Sequence, residues 1–315
     1  MKMTILSPGP LSTIQDEGRF GCLDTGFSPG GAMDSESMKL ANLLAGNAPG
    51  VGVIEMTMVG ISAKFDCDCV IALTGADMAP KINGAPIDLY AAVSVKAGDT
   101  LTMGTAKRGM RSYLAVAGGF NIPVVMGSQS TNLKCALGGF HGRKLQKGDE
   151  LPLNQSGTLA GMENRKIPPR NVYPDEITLR VIPGPQDDYF TARGMETFFG
   201  TAYTVSDKSD RMGIRLTGEK IENKNGVDII SNGVTTGSVQ IPASGTPIIM
   251  MADRQTTGGY AKIATVISED LKLAAQARPG TIVCFAKVTQ AEAAALLREG
   301  EKERKKLEYT LLYSL

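Results

Sequence analysis

Short apolar runs, each closed by residues that favour tight turns, constrain the fold of this chain more than any other feature of its sequence. The runs are rich in Val and Ile and are bounded by Gly, Pro, Asn or Asp, as in CVIALTGAD, RSYLAVAGGF, GTPIIMMAD and GTIVCFAKV. β-Branched residues in short runs between turn signals are typical of buried or half-buried strands. The pattern therefore predicts a mainly β protein.

Three segments carry helix signals instead. Asp34 stands in an N-cap position before MKLANLLAG, and Gly46 marks the end of that helix. Ser268 opens a second helix, with acidic residues in its first turn. Thr289 and Glu292 have the spacing of a capping box at the start of the last helix. The sequence thus predicts a few helices that cover a β core.

A weak internal repeat runs through the predicted strands. The turn ILSPGPLST around Gly9 resembles RVIPGPQDD around Gly184, and the strand ending at Asp77 resembles the one ending at Asp253. Such turns are common in β proteins, but here the echoes keep the same order along the chain. We interpret them as two similar β units in tandem. The two predicted domains are residues 1–170 and 171–315.

Composition and charge exclude several classes of function. The chain has 315 residues, of which 42% are hydrophobic, and its 33 basic and 32 acidic residues give a net charge of +1. This balance offers no electrostatic footprint for nucleic acid. No apolar stretch is long enough for a signal peptide or a membrane span, so we expect a cytoplasmic protein without membrane partners. Five cysteines without a C-x-x-C pair and a single histidine, His141, predict neither a disulfide framework nor a metal site.

Motifs for self-contained nucleotide chemistry are missing from the sequence. It contains no P-loop, no dinucleotide fingerprint after a strand and no G-x-S-x-G. Lys2 and Lys39 are flanked by Met as in a biotin-attachment site, but Lys2 lies at a chain terminus and Lys39 inside a capped helix. We therefore expect no covalently attached biotin on this chain.

The densest cluster of polar residues, DRQTTGGY, lies between two apolar runs. Two adjacent glycines allow successive backbone N–H groups to converge on a carboxylate, phosphate or oxyanion. Hydroxyl, amide and guanidinium groups beside them can add donors. The segment predicts an anion site, although a tight β connection with exposed polar residues has the same pattern. Its members are Asp253, Arg254, Gln255, Thr256, Thr257, Gly258, Gly259 and Tyr260.

Three further polar clusters contain candidate substrate-binding residues. Arg211, in SDRMGIRL, follows an aspartate with which an arginine usually forms only a local salt bridge. Ser130, Thr131 and Lys134 lie in the glycine-rich stretch GSQSTNLKCALGGFHGRKL. Asp16 follows the first predicted strands in STIQDEGRFG.

Together these segments resemble one protein family. PGPLSTIQDEGRFG, GAMDSESMKLANLLAGN, GMRSYLAVAGGF, GSQSTNLKCALGGFHGR, SDRMGIRL and DRQTTGGYAKIATVI are similar, in collinear order, to the C subunit of 5-oxoprolinase. The family is also called allophanate hydrolase subunit 2 or the biotin-dependent carboxyltransferase family, and it includes the antagonist of the Kip sporulation-kinase inhibitor. The resemblance covers essentially the whole chain and implies two tandem cyclophilin-like β-barrel domains. Ala261 stands where the family usually has Pro, and His141 where it usually has Glu.

The resemblance implies a subunit of a bacterial ATP-dependent 5-oxoprolinase that acts with the B and A subunits to open the lactam of 5-oxoproline to glutamate. ATP would bind in a site shared with the partner subunit. Catalytic roles are implied for Gln255, Thr256, Thr257 and Arg211. Two alternatives remain open: a carboxyltransferase component like that of urea carboxylase, and a non-enzymatic antagonist of a kinase inhibitor that is similar to the B subunit.

Overall fold

Two units make up the computed structural model of the chain, which describes residues 1–154, 165–170 and 172–313. The first unit comprises Met1–Phe20, Gly30–Tyr173 and Lys305–Leu315, and the second comprises Gly21–Pro29 and Pro174–Arg304. The two contiguous domains expected from the sequence, 1–170 and 171–315, differ from these units in the segments 21–29 and 305–315, and also at 171–173. Tertiary contacts rather than chain order decide to which unit a segment belongs, so a boundary placed at a single point of the chain misses both crossings.

The described part of the first unit contains two β-sheets and one complete helix. One sheet has the order β11-β1-β4-β9-β6-β7 and the other the order β2-β3-β10-β5-β8. The strands are β1 (Lys2–Ser7), β2 (Leu11–Gln15), β3 (Val53–Thr57), β4 (Ser62–Phe65), β5 (Cys69–Gly75), β6 (Lys81–Ile82), β7 (Ala85–Pro86), β8 (Ala92–Val95), β9 (Thr100–Thr102), β10 (Arg111–Val116) and β11 (Glu150–Pro152), and the helix is α1 (Ser35–Leu44).

Apolar side chains from both sheets form the main core of the first unit. Ile5 of β1 and Phe65 of β4 pack in the same buried cluster as Ile71 of β5 and Leu114 of β10. Strand alternation places every second side chain on the inner face, which is why short apolar runs suffice to build this core.

The helix α1 begins where the sequence predicts. The Asp34 side chain accepts a hydrogen bond from the backbone N–H of Ser37 at 3.0 Å, as an N-cap does. Met38 and Leu44 on its buried face pack with Tyr113 of β10 in a second apolar cluster. The capping signal and the apolar face thus agree on one helix position.

The second unit is built around a closed barrel of seven strands in the order β12-β19-β16-β17-β14-β13-β20, with β15 and β18 forming a separate two-stranded sheet. The strands are β12 (Glu176–Pro183), β13 (Tyr203–Val205), β14 (Gly213–Thr217), β15 (Asp228–Gly233), β16 (Ser238–Gln240), β17 (Ile248–Met250), β18 (Thr257–Tyr260), β19 (Lys262–Val266) and β20 (Ile282–Lys287). The mainly β fold with a few helices is therefore confirmed.

Three more helices follow in the chain: α2 (Ala192–Gly200), α3 (Leu271–Gln276) and α4 (Gln290–Tyr313). The predicted capping box at the start of α4 is present, because Thr289 N–H donates to Glu292 Oε2 at 2.7 Å and Glu292 N–H donates to Thr289 Oγ1 at 3.2 Å. A 3₁₀ turn at Ser268–Asp270 leads into α3. Helix α2 was not predicted from the sequence, because its glycines weaken its helical pattern. Within the described ranges, none of the helices combines the length and apolar character that a bilayer crossing needs.

The structure supports only one of the two sequence echoes that predicted an internal repeat. Gly9 and Gly184 each follow the first strand of their unit, and a Cβ on either would overlap a backbone carbonyl oxygen of a neighbouring segment. The equivalence of Asp77 and Asp253 is wrong. Both neighbours of β5, the strand before Asp77, follow it in the chain, whereas both neighbours of β17, the strand before Asp253, precede it. A shared strand-and-turn pattern therefore arose at two different places in the sheets.

Candidate functional site

The segment DRQTTGGY begins as a turn and ends as strand β18. This strand pairs antiparallel with β15, with Thr257 opposite Gly233 and Gly258 opposite Asn232. Neither Gly258 nor Gly259 has a positive φ. The predicted nest of converging N–H groups is therefore wrong, because an extended backbone points successive N–H groups in alternate directions.

Gly258 is required for close packing rather than for an unusual φ. A Cβ at this position would lie 2.8 Å from Gln240 Nε2, 3.1 Å from Val234 Cγ2 and 3.2 Å from Gln255 Nε2. At Gly259 the nearest atom to such a Cβ would be Ile229 O at 3.4 Å, which is an ordinary van der Waals contact. The first glycine of the pair therefore holds open the space that two side-chain amides occupy.

These two amides form a short chain of weak hydrogen bonds. Gln255 Nε2 donates to Gln240 Oε1, and Gln240 Nε2 donates to the backbone carbonyl of Tyr260, both at 3.4 Å. Gln240 is only 2% exposed. Such distances are at the long limit for N–H···O bonds, and each carboxamide has two donors and two acceptor lone pairs. The amides therefore retain hydrogen-bonding capacity for a ligand.

Lys262, two residues after the predicted segment, brings an unpaired charge to the same place. It is 4% exposed and lies directly opposite Gln240 in the pairing of β16 with β19. Its backbone N–H donates to Gln186 Oε1 at 3.2 Å, and Gln186 N–H donates to the Lys262 carbonyl. Among the residues that the structure describes, the Lys262 Nζ has no hydrogen-bond partner. Burial lowers the pKa of this lysine.

We call Gln186, Gln240, Gln255 and Lys262 the amide–lysine cluster. Of this set, only Gln255 was predicted from the sequence. The remaining signal was present in AKIATVI, where a lysine interrupts an apolar strand that β19 buries. Gln186 and Gln240 are far from Lys262 in the chain; the β16–β19 pairing brings Gln240 to it, and hydrogen bonds with the Lys262 backbone bring Gln186.

The two arginines proposed to pair a ligand are used inside the protein. Arg254 is buried and donates from Nε to the Val234 carbonyl at 3.0 Å, and its burial lowers its pKa. Arg211 is buried and makes a bidentate ion pair with Asp253, with Nε–Oδ2 at 2.8 Å and Nη2–Oδ1 at 3.0 Å. These three residues brace the turn that precedes β18. The catalytic roles of Thr256, Thr257 and Arg211 remain predictions.

The candidate residues of the N-terminal half lie in the first unit, where most of them are buried and hydrogen-bonded within the protein. The buried carboxylate of Asp16 accepts hydrogen bonds from the hydroxyls of Ser128 at 2.6 Å and Ser130 at 2.5 Å, and from the N–H groups of Gly18 and Gln129. Ser130 and Thr131 are fully buried, whereas Lys134 is exposed. Asp16 therefore ties two loops together, and Lys134 does not join this network.

We expect Asp16→Ala to lower the free energy of unfolding by about 3 kcal/mol, because it leaves several buried donors without an acceptor. Denaturant titration monitored by circular dichroism measures the change. Asp24 is exposed and provides the control, with an expected effect of Asp24→Ala below about 0.5 kcal/mol. Equal destabilisation by the two substitutions would contradict the role assigned to Asp16.

A pocket of about 310 Å³ lies elsewhere in the first unit. Phe140 and His141 line it, with ring centroids 4.2 Å apart, and His141 adopts a positive φ of 60°. Arg19 is almost fully buried and donates to the carbonyl of Val125, which also lines the pocket. The lining is otherwise mainly apolar, so the pocket is a second place where a small ligand could fit.

Comparison with known proteins identifies the class of protein. The chain superposes on the urea amidolyase of K. lactis with a TM-score of 0.91 and 29% identity, over 97% of this chain and 20% of that protein. Its residues 25–287 match the family described as "Carboxyltransferase domain, subdomain A and B". The chain therefore belongs to this carboxyltransferase family.

Two relatives match it along nearly their whole length. It is 40% identical over 298 residues to the 5-oxoprolinase C subunit of Haemophilus influenzae, covering 94% of each chain. It is 35% identical over 309 residues to the 5-oxoprolinase C subunit of Escherichia coli K12, covering 98% of each chain.

Proposed function

We propose that this protein is a subunit of an ATP-dependent 5-oxoprolinase. One observation carries the proposal: the chain is 40% and 35% identical to two proteins named as the C subunit of 5-oxoprolinase, but 29% identical to the urea amidolyase on which it superposes. The higher identity to the C subunits favours their function over that of urea amidolyase. The name of these relatives further supports assembly with partners, which we take to be the B and A subunits.

The chemistry explains why such an enzyme would use ATP. An amide carbonyl is a poor electrophile, so water attacks a lactam slowly. Transfer of the γ-phosphoryl group of ATP to the lactam oxygen makes the carbonyl carbon electrophilic enough for water to add. The ring C–N bond then breaks as the nitrogen takes up a proton, which leaves an acyl phosphate, and a second water hydrolyses this acyl phosphate to the open-chain amino acid and phosphate. Because this chain has no P-loop, we place the ATP in a site shared with a partner subunit. No biotin is attached to this chain in the proposed reaction.

The amide–lysine cluster is where we place the small amide in the second unit. Carboxamides bind a lactam through paired N–H···O=C bonds, and a nearby ammonium favours negative charge on the activated oxygen or on a second substituent. The cluster lies beside β18, which forms the C-terminal half of the segment DRQTTGGY.

A second function is favoured by the family itself. The description "carboxyltransferase domain" and the superposition on urea amidolyase support transfer of a carboxyl group from carboxybiotin to a small amide. The same donors would then stabilise the enolate oxygen of the biotin ring. This reaction would require a biotin carboxylase and a carrier domain on other chains.

Reconstitution distinguishes these functions. The chain is mixed with the products of neighbouring genes that encode the A and B subunits, and glutamate formed from 5-oxoproline is measured with and without ATP. We expect ATP-dependent glutamate formation only when all subunits are present, and negligible ATP hydrolysis by the chain alone. Omitting this chain from the mixture is the matched control.

Two outcomes would refute the proposal. One is robust ATP hydrolysis by the single purified chain, which would show a self-contained nucleotide site. The other is a complete mixture that leaves 5-oxoproline unchanged but carboxylates a small amide when a biotinylated carrier and a carboxylase are supplied.

A further inference from the structure

A buried lysine without a partner is costly, and Lys262 is such a residue. Its side chain is 4% exposed, and its Nζ finds no acceptor in the part of the chain that the structure describes. Removing an ammonium from water without pairing it costs several kcal/mol unless the group loses its proton. The lowered pKa of Lys262 expresses this cost. A position that serves only the fold would be occupied more favourably by an apolar residue.

The neighbours of Lys262 are uncharged hydrogen-bonding groups. Gln240 lies directly opposite Lys262 across the β16–β19 pair, so the two side chains begin next to each other. Gln186 packs against the Lys262 backbone, and Gln255 reaches Gln240. No carboxylate of the described residues neutralises the ammonium, because its Nζ is unpaired. The cluster therefore has one positive charge to offer and several amide donors and acceptors.

We propose that the amide–lysine cluster recognises small molecules that carry a carboxylate next to an amide. In this arrangement Lys262 pairs the carboxylate, and the carboxamides of Gln240 and Gln255 bind the N–H and C=O of the ligand's amide. This substrate class refines the site described under Proposed function, and the choice of probe rests on that proposal. A cluster of this kind would discriminate against urea and simple lactams, which have an amide group but no negative charge.

Charge pairing with a ligand explains why the chain keeps a buried lysine that destabilises the free protein. A bound carboxylate supplies the missing counter-ion and raises the pKa of Lys262. Binding of such a ligand therefore removes the energetic penalty of the unpaired ammonium and is favoured by that amount. Without the carboxylate, a ligand would leave the ammonium unpaired and would bind more weakly. Replacement of Lys262 by an apolar residue should then maintain or raise the stability of the free protein and weaken the binding of a carboxylate ligand.

The test compares three probes on two lysine variants. Isothermal titration calorimetry measures the binding of 5-oxoproline, 2-pyrrolidinone and acetate to the chain alone and to the complex reconstituted with its partner subunits. Lys262→Met removes the buried charge at similar length. Lys287→Met, at the exposed end of β20 in the same unit, removes an equal charge away from the cluster.

We expect the wild-type protein and Lys287→Met to bind 5-oxoproline at least tenfold more tightly than 2-pyrrolidinone. Lys262→Met should bind the two with similar affinity, and its melting temperature should equal or exceed that of the wild type, since an unpaired buried charge has been removed. NMR of the protein labelled with ¹³C at lysine Cε should show the pKa of Lys262 rising when 5-oxoproline is added.

Equal affinity of the wild-type protein for 5-oxoproline and 2-pyrrolidinone, or failure of 5-oxoproline to bind both the chain and the complex, would overturn the inference. So would a tenfold preference that persists in Lys262→Met. These outcomes differ from failure of the proposed function. If the complex makes glutamate but Lys262→Met still prefers 5-oxoproline to 2-pyrrolidinone, only the inference is refuted. If the chain binds the probes as expected but the complex makes no glutamate, only the proposed function is refuted.

Discussion

Gly258→Val should leave the protein folded and reduce turnover of the reconstituted complex about a hundredfold. The new side chain would occupy the space in which a Cβ already lies 2.8 Å from Gln240 Nε2 and 3.2 Å from Gln255 Nε2. Both amides are ends of flexible side chains, so they can move aside at small cost to stability, and valine itself is favourable in a strand. Displacing ligand-binding donors costs on the order of 3 kcal/mol in transition-state stabilisation, which corresponds to that loss of rate.

Gly259→Val provides the control for this prediction. The two glycines are adjacent in β18, but a Cβ at Gly259 would make only ordinary contacts, the nearest with Ile229 O at 3.4 Å. We expect turnover within about threefold of the wild type for this variant. Glutamate formation per folded complex and the melting temperature should be measured together. Normal turnover in a folded Gly258→Val complex would contradict the assignment of β18 and the amide–lysine cluster to the substrate site.

Asp253→Ala should destabilise the second unit by about 3–5 kcal/mol, because it leaves the buried guanidinium of Arg211 without its bidentate carboxylate. The Arg211 side chain is 6% exposed and that of Asp253 15%, so solvent replaces little of the lost interaction. For a unit of this size the melting temperature should fall on the order of 10 °C. Differential scanning calorimetry measures this change directly.

An exposed ion pair in the same unit calibrates the result. Asp175 and Arg278 approach to 3.2 Å, but their side chains are 67% and 40% exposed. Removing one partner of such a pair costs about 0–1 kcal/mol, so Asp175→Ala should shift the melting temperature by no more than about 3 °C. A comparable loss in the two variants would mean that burial of the Arg211–Asp253 pair contributes nothing to its strength.

Local signals in the sequence predicted local structure well. Asp34, and Thr289 with Glu292, cap their helices as expected, because a cap depends on residues only three positions apart. The missed helix α2 has the same kind of cap, with Thr191 Oγ1 accepting from Gly194 N–H at 2.9 Å, but it is short and contains Gly194 and Gly200, which have low helix propensity.

Long-range pairing decided the geometry of the candidate site. Two adjacent glycines are compatible both with a nest and with a strand. Pairing with β15, which lies more than twenty residues earlier in the chain, selects the strand. Arg254 and Arg211 are suited to ligand binding by chemistry alone, yet the Val234 carbonyl and the Asp253 carboxylate use them inside the fold. The sequence could name these donors but not their acceptors.

By itself the sequence determined a mainly β fold, the positions of three helices and membership of a family, and it singled out one polar segment as a candidate site. These features depend on residue types, on spacings of a few residues and on collinear motifs, all of which are present in the unfolded chain. Only the tertiary structure decided which polar groups were left without partners. Lys262 stands out because the barrel buries it opposite Gln240 and away from every acceptor in the described residues. Burial and pairing are properties of the packed chain, so the residue with the sharpest functional implication could be recognised only there.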